Sequence, residues 1–124
     1  EALKDEWMRK KVKELVRVEG SVAYILDADW SLGKGAIYAR AETEALVGIA
    51  GETRTEFVEM SLRTPSDAID LNAILSTLTP TLGGSGGGHA KAAGARVPKN
   101  KWGQFLSSLN SAIEATRAGS AVEY

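Results

Sequence analysis

Between Gly83 and Gly88 the chain carries five glycines in six residues, interrupted only by Ser85. Each glycine costs roughly 0.5–1 kcal/mol against alanine in regular structure, because it loses the most backbone freedom on folding. Such a run is either a flexible Gly/Ser linker or a backbone that must enter left-handed conformations or let another molecule come close. The residues after it oppose the linker reading. His89, the single histidine of the chain, follows at once, and then Ala90-Lys91-Ala92 and an alternating segment from Ala93 to Val97. The segment from His89 to Ala92 is predicted to form a short helix, and the alternation leads back into packed structure.

A glycine loop that opens a helix suits an anion. Successive amides form a concave nest, and the helix start adds positive partial charge. On this reading His89 and Lys91 stand at the rim as donors. Each charge-assisted hydrogen bond is worth roughly 1.5–3 kcal/mol, so a few of them hold a phosphate.

GGSGGGHAKAAGA, Gly83 to Ala95, resembles the GGGH-x-x-AAG motif of the DHH-associated domain. That domain follows the catalytic domain in DHH-family phosphoesterases such as RecJ-like single-strand exonucleases and short-RNA hydrolases. A related domain ends alanyl-tRNA synthetases. Upstream, Ser61-Leu62-Arg63-Thr64 is similar to the family's S-x-R-[ST] element at a strand end. The resemblance covers the chain from about Gly20 onward. It implies a connector helix over 1–19 and a substrate-binding domain over 20–124. It also implies that Arg63 faces the glycine motif, so that Arg63, Gly84, Ser85, Gly86, Gly87, Gly88, His89 and Lys91 grip substrate phosphate. Ser85 departs from the family's unbroken glycine quartet and leaves the loop path open.

The resemblance places catalysis elsewhere. In the family, Asp and His motifs of an upstream catalytic domain hold the divalent metal, Mn or Mg, that activates water. This chain lacks those motifs, so no catalytic or metal-binding residue and no cofactor is assigned within it. The implied partners are single-stranded or short nucleic acid and an upstream catalytic domain of the same polypeptide, with a homodimer as a further option.

The whole chain sets the bounds. Its 124 residues fit one domain. The formal charge is −1, so any nucleic-acid contact must be a local patch. With no cysteine and one histidine, disulfides, thiolate sites and multi-histidine metal sites are excluded. No apolar run approaches the roughly 18 residues of a membrane span. No signal-peptide pattern is present, so a cytoplasmic origin is the default. The chain starts at Glu1, which reads as a piece of something longer.

Glu1 to Val18 is predicted as a helix, with Leu3, Trp7, Met8, Val12, Leu15 and Val16 as its apolar stripe. Its basic residues suit either a connector or a surface lying along nucleic acid. Val22 to Leu26 reads as a buried strand. Asp27, Asp29 and Ser31 after it form either a capped turn or part of a cation site. Leu32-Gly33-Lys34-Gly35 is not a Walker loop: Ala28 stands where its first glycine belongs, and Gly35 follows Lys34. A helix from Gly35 to about Glu44 would turn Ile37, Ala41 and Ala45 inward. Ala45 to Ala50 reads as the second strand, Gly51 to Arg54 as a hairpin turn and Glu56 to Leu62 as the third strand. One long helix over 36–50 is the competing reading. A helix from about Asp70 to Leu78 packs Leu71, Ile74, Leu75 and Leu78 on the sheet and stops at Pro80. Gly94 to Val97 gives the last strand, ended by Pro98. A final helix from Asn100 to about Arg117 follows, and Gly119 to Tyr124 should fray. Trp102 suits either core packing or stacking on a base. No dinucleotide fingerprint fits the glycine run, since its frames meet His89 or Lys91 where glycine is needed.

The expected fold is therefore α/β: a small mixed sheet of about four strands with helices packed on it, after an N-terminal connector helix. The leading function is substrate binding for a metal-dependent DHH-family phosphoesterase. The alternatives are a tRNA-binding module like the end of alanyl-tRNA synthetase, and a structural or dimerising domain.

Overall fold

The computed structural model describes residues 10, 11, 13–27, 32–43 and 45–122; of residues 32–34, 42 and 117–122 only the backbone is described. Leu3, Trp7, Met8, Val12, Asp29 and Ser31, which carry parts of the reading above, lie outside that range. One six-stranded sheet runs in the order β1-β2-β3-β4-β6-β5. Its strands are β1 Arg17–Glu19, β2 Val22–Leu26, β3 Val47–Thr53, β4 Phe57–Arg63, β5 Ser85–Gly88 and β6 Ala92–Pro98. Beside the helical residues 10, 11 and 13–15, the helices are α1 Leu32–Thr43, α2 Leu71–Thr81 and α3 Trp102–Val122, the last entered through a 3-10 turn at Lys99–Lys101. Only β2 and β3 pair in parallel, and α1 is their crossover.

The two strands beyond the expected four are the sheet's edges. Residues 10, 11 and 13–15 are helical, but Arg17–Glu19 pairs antiparallel with β2 instead of continuing the helix to Val18. At the other edge the glycine run is itself strand β5, paired with β6. Glycine is depleted in strands, so only the pairing offered by β6 and the support of α2 reveal this one. His89 and Ala90 then form a turn, and Ala92 already belongs to β6, so the short helix expected at His89–Ala92 does not form.

Hydrophobic pattern sets the layers. Val58, Met60 and Leu62 of β4 alternate with half-exposed neighbours and enter the main core with Val22, Val47, Ile49, Leu71, Leu75, Phe105, Leu109 and Ile113. That core lies between the sheet and α2 with α3. Trp102 joins it, edge-on to Tyr24 at 5.5 Å and stacked on Phe105 at 5.8 Å. On the opposite face α1 sets Ala36 and Ala39 against Ala23, Ile25 and Ala50. The inward face of α1 is thus alanine; Ile37 and Ala41, expected inside, are exposed. The cause is close approach: a Cβ on Gly48 of β3 would overlap the Ala36 carbonyl oxygen.

Other boundaries shift by a few residues. Gly51–Thr53 extends β3, so the hairpin turn falls at 54–56, closed by the Arg54 amide donating to the Phe57 carbonyl at 2.7 Å. Asp70 caps α2 through the Ala73 amide at 3.0 Å. Pro80 sits inside the last turn of α2 instead of stopping it. A proline ring mainly disturbs the preceding turn, and the helix ends two residues on, at the Leu82 cap. Helix α3 continues to Val122, past the expected end at Arg117 and through part of the segment expected to fray.

Candidate functional site

The strand register brings Arg63, Gly88 and His89 to one end of the sheet, whereas Ser85 pairs with Arg96 and lies with Gly84 toward the other end. Arg63, the last residue of β4, pairs with Gly48 of β3 on one side and Ala92 of β6 on the other. The carbonyl of Ala92 accepts from the His89 amide at 2.9 Å. Arg63 and Ala92 of two paired strands and His89, just past the end of β5, therefore form one row, each step about 4.8 Å. The turn after β5 is tied down from both sides: Leu71 donates to the Ala90 carbonyl at 2.8 Å and Thr64 to the Lys91 carbonyl at 3.1 Å.

The glycine amides are engaged differently from an anion nest. Gly83 donates to Pro80 at 3.2 Å and Gly84 to Thr79 at 2.9 Å, both carbonyls of α2. Gly88 donates to Asn72 Oδ1 at 3.0 Å. In an antiparallel ladder amides alternate between the partner strand and the outside, so α2 acts as the outer neighbour of β5. The glycines are needed for that fit. Gly87 and Gly88 have φ of 155° and 145°, and a Cβ on Gly87 would press on Asn72 and Ser76. Sequence reasoning misses Asn72; an exposed polar residue in the first turn of an amphipathic helix carries no signal until β5 is placed beside it.

Side chains make the electrostatics. Arg63 is half-buried, and its Nη1 donates to the Leu62 carbonyl at 2.8 Å. Among the described residues it has no carboxylate partner. His89 is exposed. Lys91 is committed elsewhere, to Asp67 at 2.5 Å. That hydrogen bond, and the ammonium charge after it, hold the Asp67 carboxyl below its ordinary pKa.

Arg63 points to the α1 side of the sheet, because Leu62 next to it points into the main core. On that side, among the described residues, α1 covers β2 and β3, borders β4 and leaves β6 and β5 open. Near Arg63 the open face carries small residues, Ser61, Ala92 and Gly94. Ser61 of β4 and Gly94 of β6 share one row of its floor. Among the described residues a Cβ on Gly94 would find only the Met60 carbonyl oxygen, at an ordinary 3.5 Å. Protein packing therefore does not require glycine there. Further along, Arg96 lies 4.0 Å over the Phe57 ring and 3.9 Å from Glu59.

The remaining candidates fall away from this face. Asp27, at φ 60°, accepts from the Thr53 amide at 2.6 Å and the Thr53 hydroxyl at 2.8 Å, so it serves as a turn clasp between β2 and β3. Among the described residues no three His, Asp or Glu side chains cluster as metal ligands, and no helix is long and apolar enough to cross a membrane. Two clefts of about 430 Å³ lie elsewhere, one between Gly20 and Asn110 and one between α2 and α3 at Ile74, Leu78 and Ala112.

Known proteins share this architecture. A pGpG-specific phosphodiesterase, PggH of Vibrio cholerae, superposes with a TM-score of 0.63 at 13% identity, over 90% of this chain and 39% of that one. The DHH domain of a protein described as a member of a family of ribosomal proteins gives 0.62 at 20% identity, over 90% and 30%. The C-Ala domain of Aquifex aeolicus alanyl-tRNA synthetase gives 0.60 at 16% identity, over 77% and 95%. At these identities the likeness is one of fold. The chain spans well under half the length of the phosphodiesterase it matches. No curated protein sequence matches it. The model of the DHHA1 domain matches residues 19–115, which include β2 to β6 and the glycine strand, and the chain belongs to that family.

Proposed function

We propose that this domain holds the phosphate-bearing part of a short or single-stranded nucleic acid for a DHH-family phosphoesterase. The catalytic domain and its divalent metal would lie upstream in the same polypeptide. One observation carries the reading: Arg63, without a carboxylate partner among the described residues, stands in one row with His89 beside a floor whose Gly94 is not explained by packing. A guanidinium grips two phosphate oxygens at once. Glycine lets a ligand approach the backbone. Lys91 enters this reading only after release from Asp67.

The test is titration of the 124-residue protein with a 5′-phosphorylated dinucleotide. Arg63→Ala should weaken binding about tenfold or more, the worth of a charge-assisted hydrogen bond, with the melting temperature unchanged. Unchanged affinity in Arg63→Ala and His89→Ala would remove the site. A second reading, a tRNA-contacting module, is favoured by the match spanning 95% of the C-Ala domain. Gel shifts that compare tRNA with the dinucleotide separate the two. Binding of neither supports the structural or dimerising alternative.

A further inference from the structure

We propose that Arg40 and Arg63 together form a two-armed cation that takes a doubly charged phosphomonoester, the terminal phosphate of a nucleotide, in preference to a singly charged diester. The inference rests on the anion-binding reading of the open face and adds a residue and a charge preference to it.

The phase of α1 places Arg40. Ala39 packs in the cluster that contains Ala23 and Ile25 of β2. Arg40 lies about 100° further round the helix, on the flank toward β4, as a right-handed β2-α1-β3 crossover requires. The height along the sheet is fixed as well: a Cβ on Gly48 would lie 2.7 Å from Arg40 Cβ. Gly48 is the register partner of Arg63, and paired residues in an antiparallel ladder are about 4.5–5.5 Å apart between Cα atoms. The two arginine stems thus start from neighbouring positions at one corner, Arg40 from the wall and Arg63 from the floor, and both are half-buried.

Some basic side chains of the domain are paired with carboxylates; among the described residues these two are not. Arg54 pairs with Glu52 and Glu59, Arg96 with Glu59, and Lys91 with Asp67. Among the described residues Arg40 and Arg63 have no such partner. Two like charges held close without a counter-ion repel each other, and an anion bound between them relieves that repulsion. A phosphomonoester carries about 1.5 to 2 negative charges at neutral pH, which balances two guanidiniums, whereas a diester carries one. Ile37, one turn earlier on the same flank of α1, is 49% exposed and offers the rest of a nucleotide an apolar wall beside the glycine floor.

The experiment titrates the 124-residue protein with a nucleoside 5′-monophosphate and with its methyl phosphate ester, read by calorimetry. Wild type should prefer the monophosphate. Arg40→Ala should weaken it about tenfold, weaken the methyl ester less, and so abolish the preference. Arg40→Lys, which keeps the charge, should restore part of it. A preference that survives Arg40→Ala, or equal losses for the two ligands, overturns the two-armed cation while leaving the open face as an anion site. Wild-type protein that binds neither ligand overturns the anion site and the proposal together. Thermal melts of each variant confirm that the fold is intact.

Discussion

Gly48 and Gly94 both lie on the α1 side of the sheet, one beneath the helix and one beyond its edge. At Gly48 the missing side chain is filled by protein: the helix backbone presses against the strand, with the Ala36 carbonyl and Arg40 where a Cβ would go. At Gly94 the space is open, and the protein would tolerate an alanine. The same residue type therefore serves packing in the covered half and accessibility in the open half. Glycine in a strand signals close approach, but only the surroundings show whether the approaching partner is the protein's own helix or something from outside.

Substitution at these two positions is the most direct way to break the comparison. Gly48→Ala should destabilise the fold by about 3 kcal/mol, the upper part of the range for overpacking a tight site, read as a lower urea midpoint. A variant as stable as wild type would mean that α1 does not rest on β3 as described. Gly94→Ala should shift stability by about 0.5 kcal/mol or less and yet weaken the phosphorylated dinucleotide several-fold. Lost stability there, or unchanged affinity, would erase the functional distinction between the halves.

The smallest expected effect concerns the latch at the rim of the open half. Lys91 lowers the pKa of Asp67 in the folded state, so the pair contributes stability above the ordinary carboxylate range and loses it as pH falls through the depressed value. Both side chains are largely exposed, 52% and 93%, and exposed ion pairs contribute little. Asp67→Asn should therefore lower the melting temperature slightly at neutral pH and converge with wild type in acid. A difference that persists once the carboxyl is protonated would trace to something other than the ion pair.

Much of the fold is legible from local pattern. Val22–Leu26 reads as a buried strand because its run is continuous and short. Helix α2 announces itself through Leu71, Ile74, Leu75 and Leu78 at helical spacing. The family is legible from Gly83 to Ala95 together with Ser61 to Thr64. The misreadings share a cause. Sequence alone makes the glycine run a loop opening a helix because glycine has low strand propensity; pairing with β6 and hydrogen bonds from Gly84 and Gly88 to α2 override that propensity. It turns Ile37 inward because a periodic pattern with alanines on two faces does not fix the phase of a helix.

By itself the sequence determined the parts of this protein: where chain segments favour helix or strand, which residues are apolar, and which stretch carries the family motif. These follow from preferences of neighbouring residues. The tertiary structure alone decided that β5 pairs with β6 as an edge strand, that Arg63 and His89 share a row, and that Arg40 stands over Gly48 beside them. Register and helix phase are set by contacts between residues far apart in the chain, and no local preference encodes them.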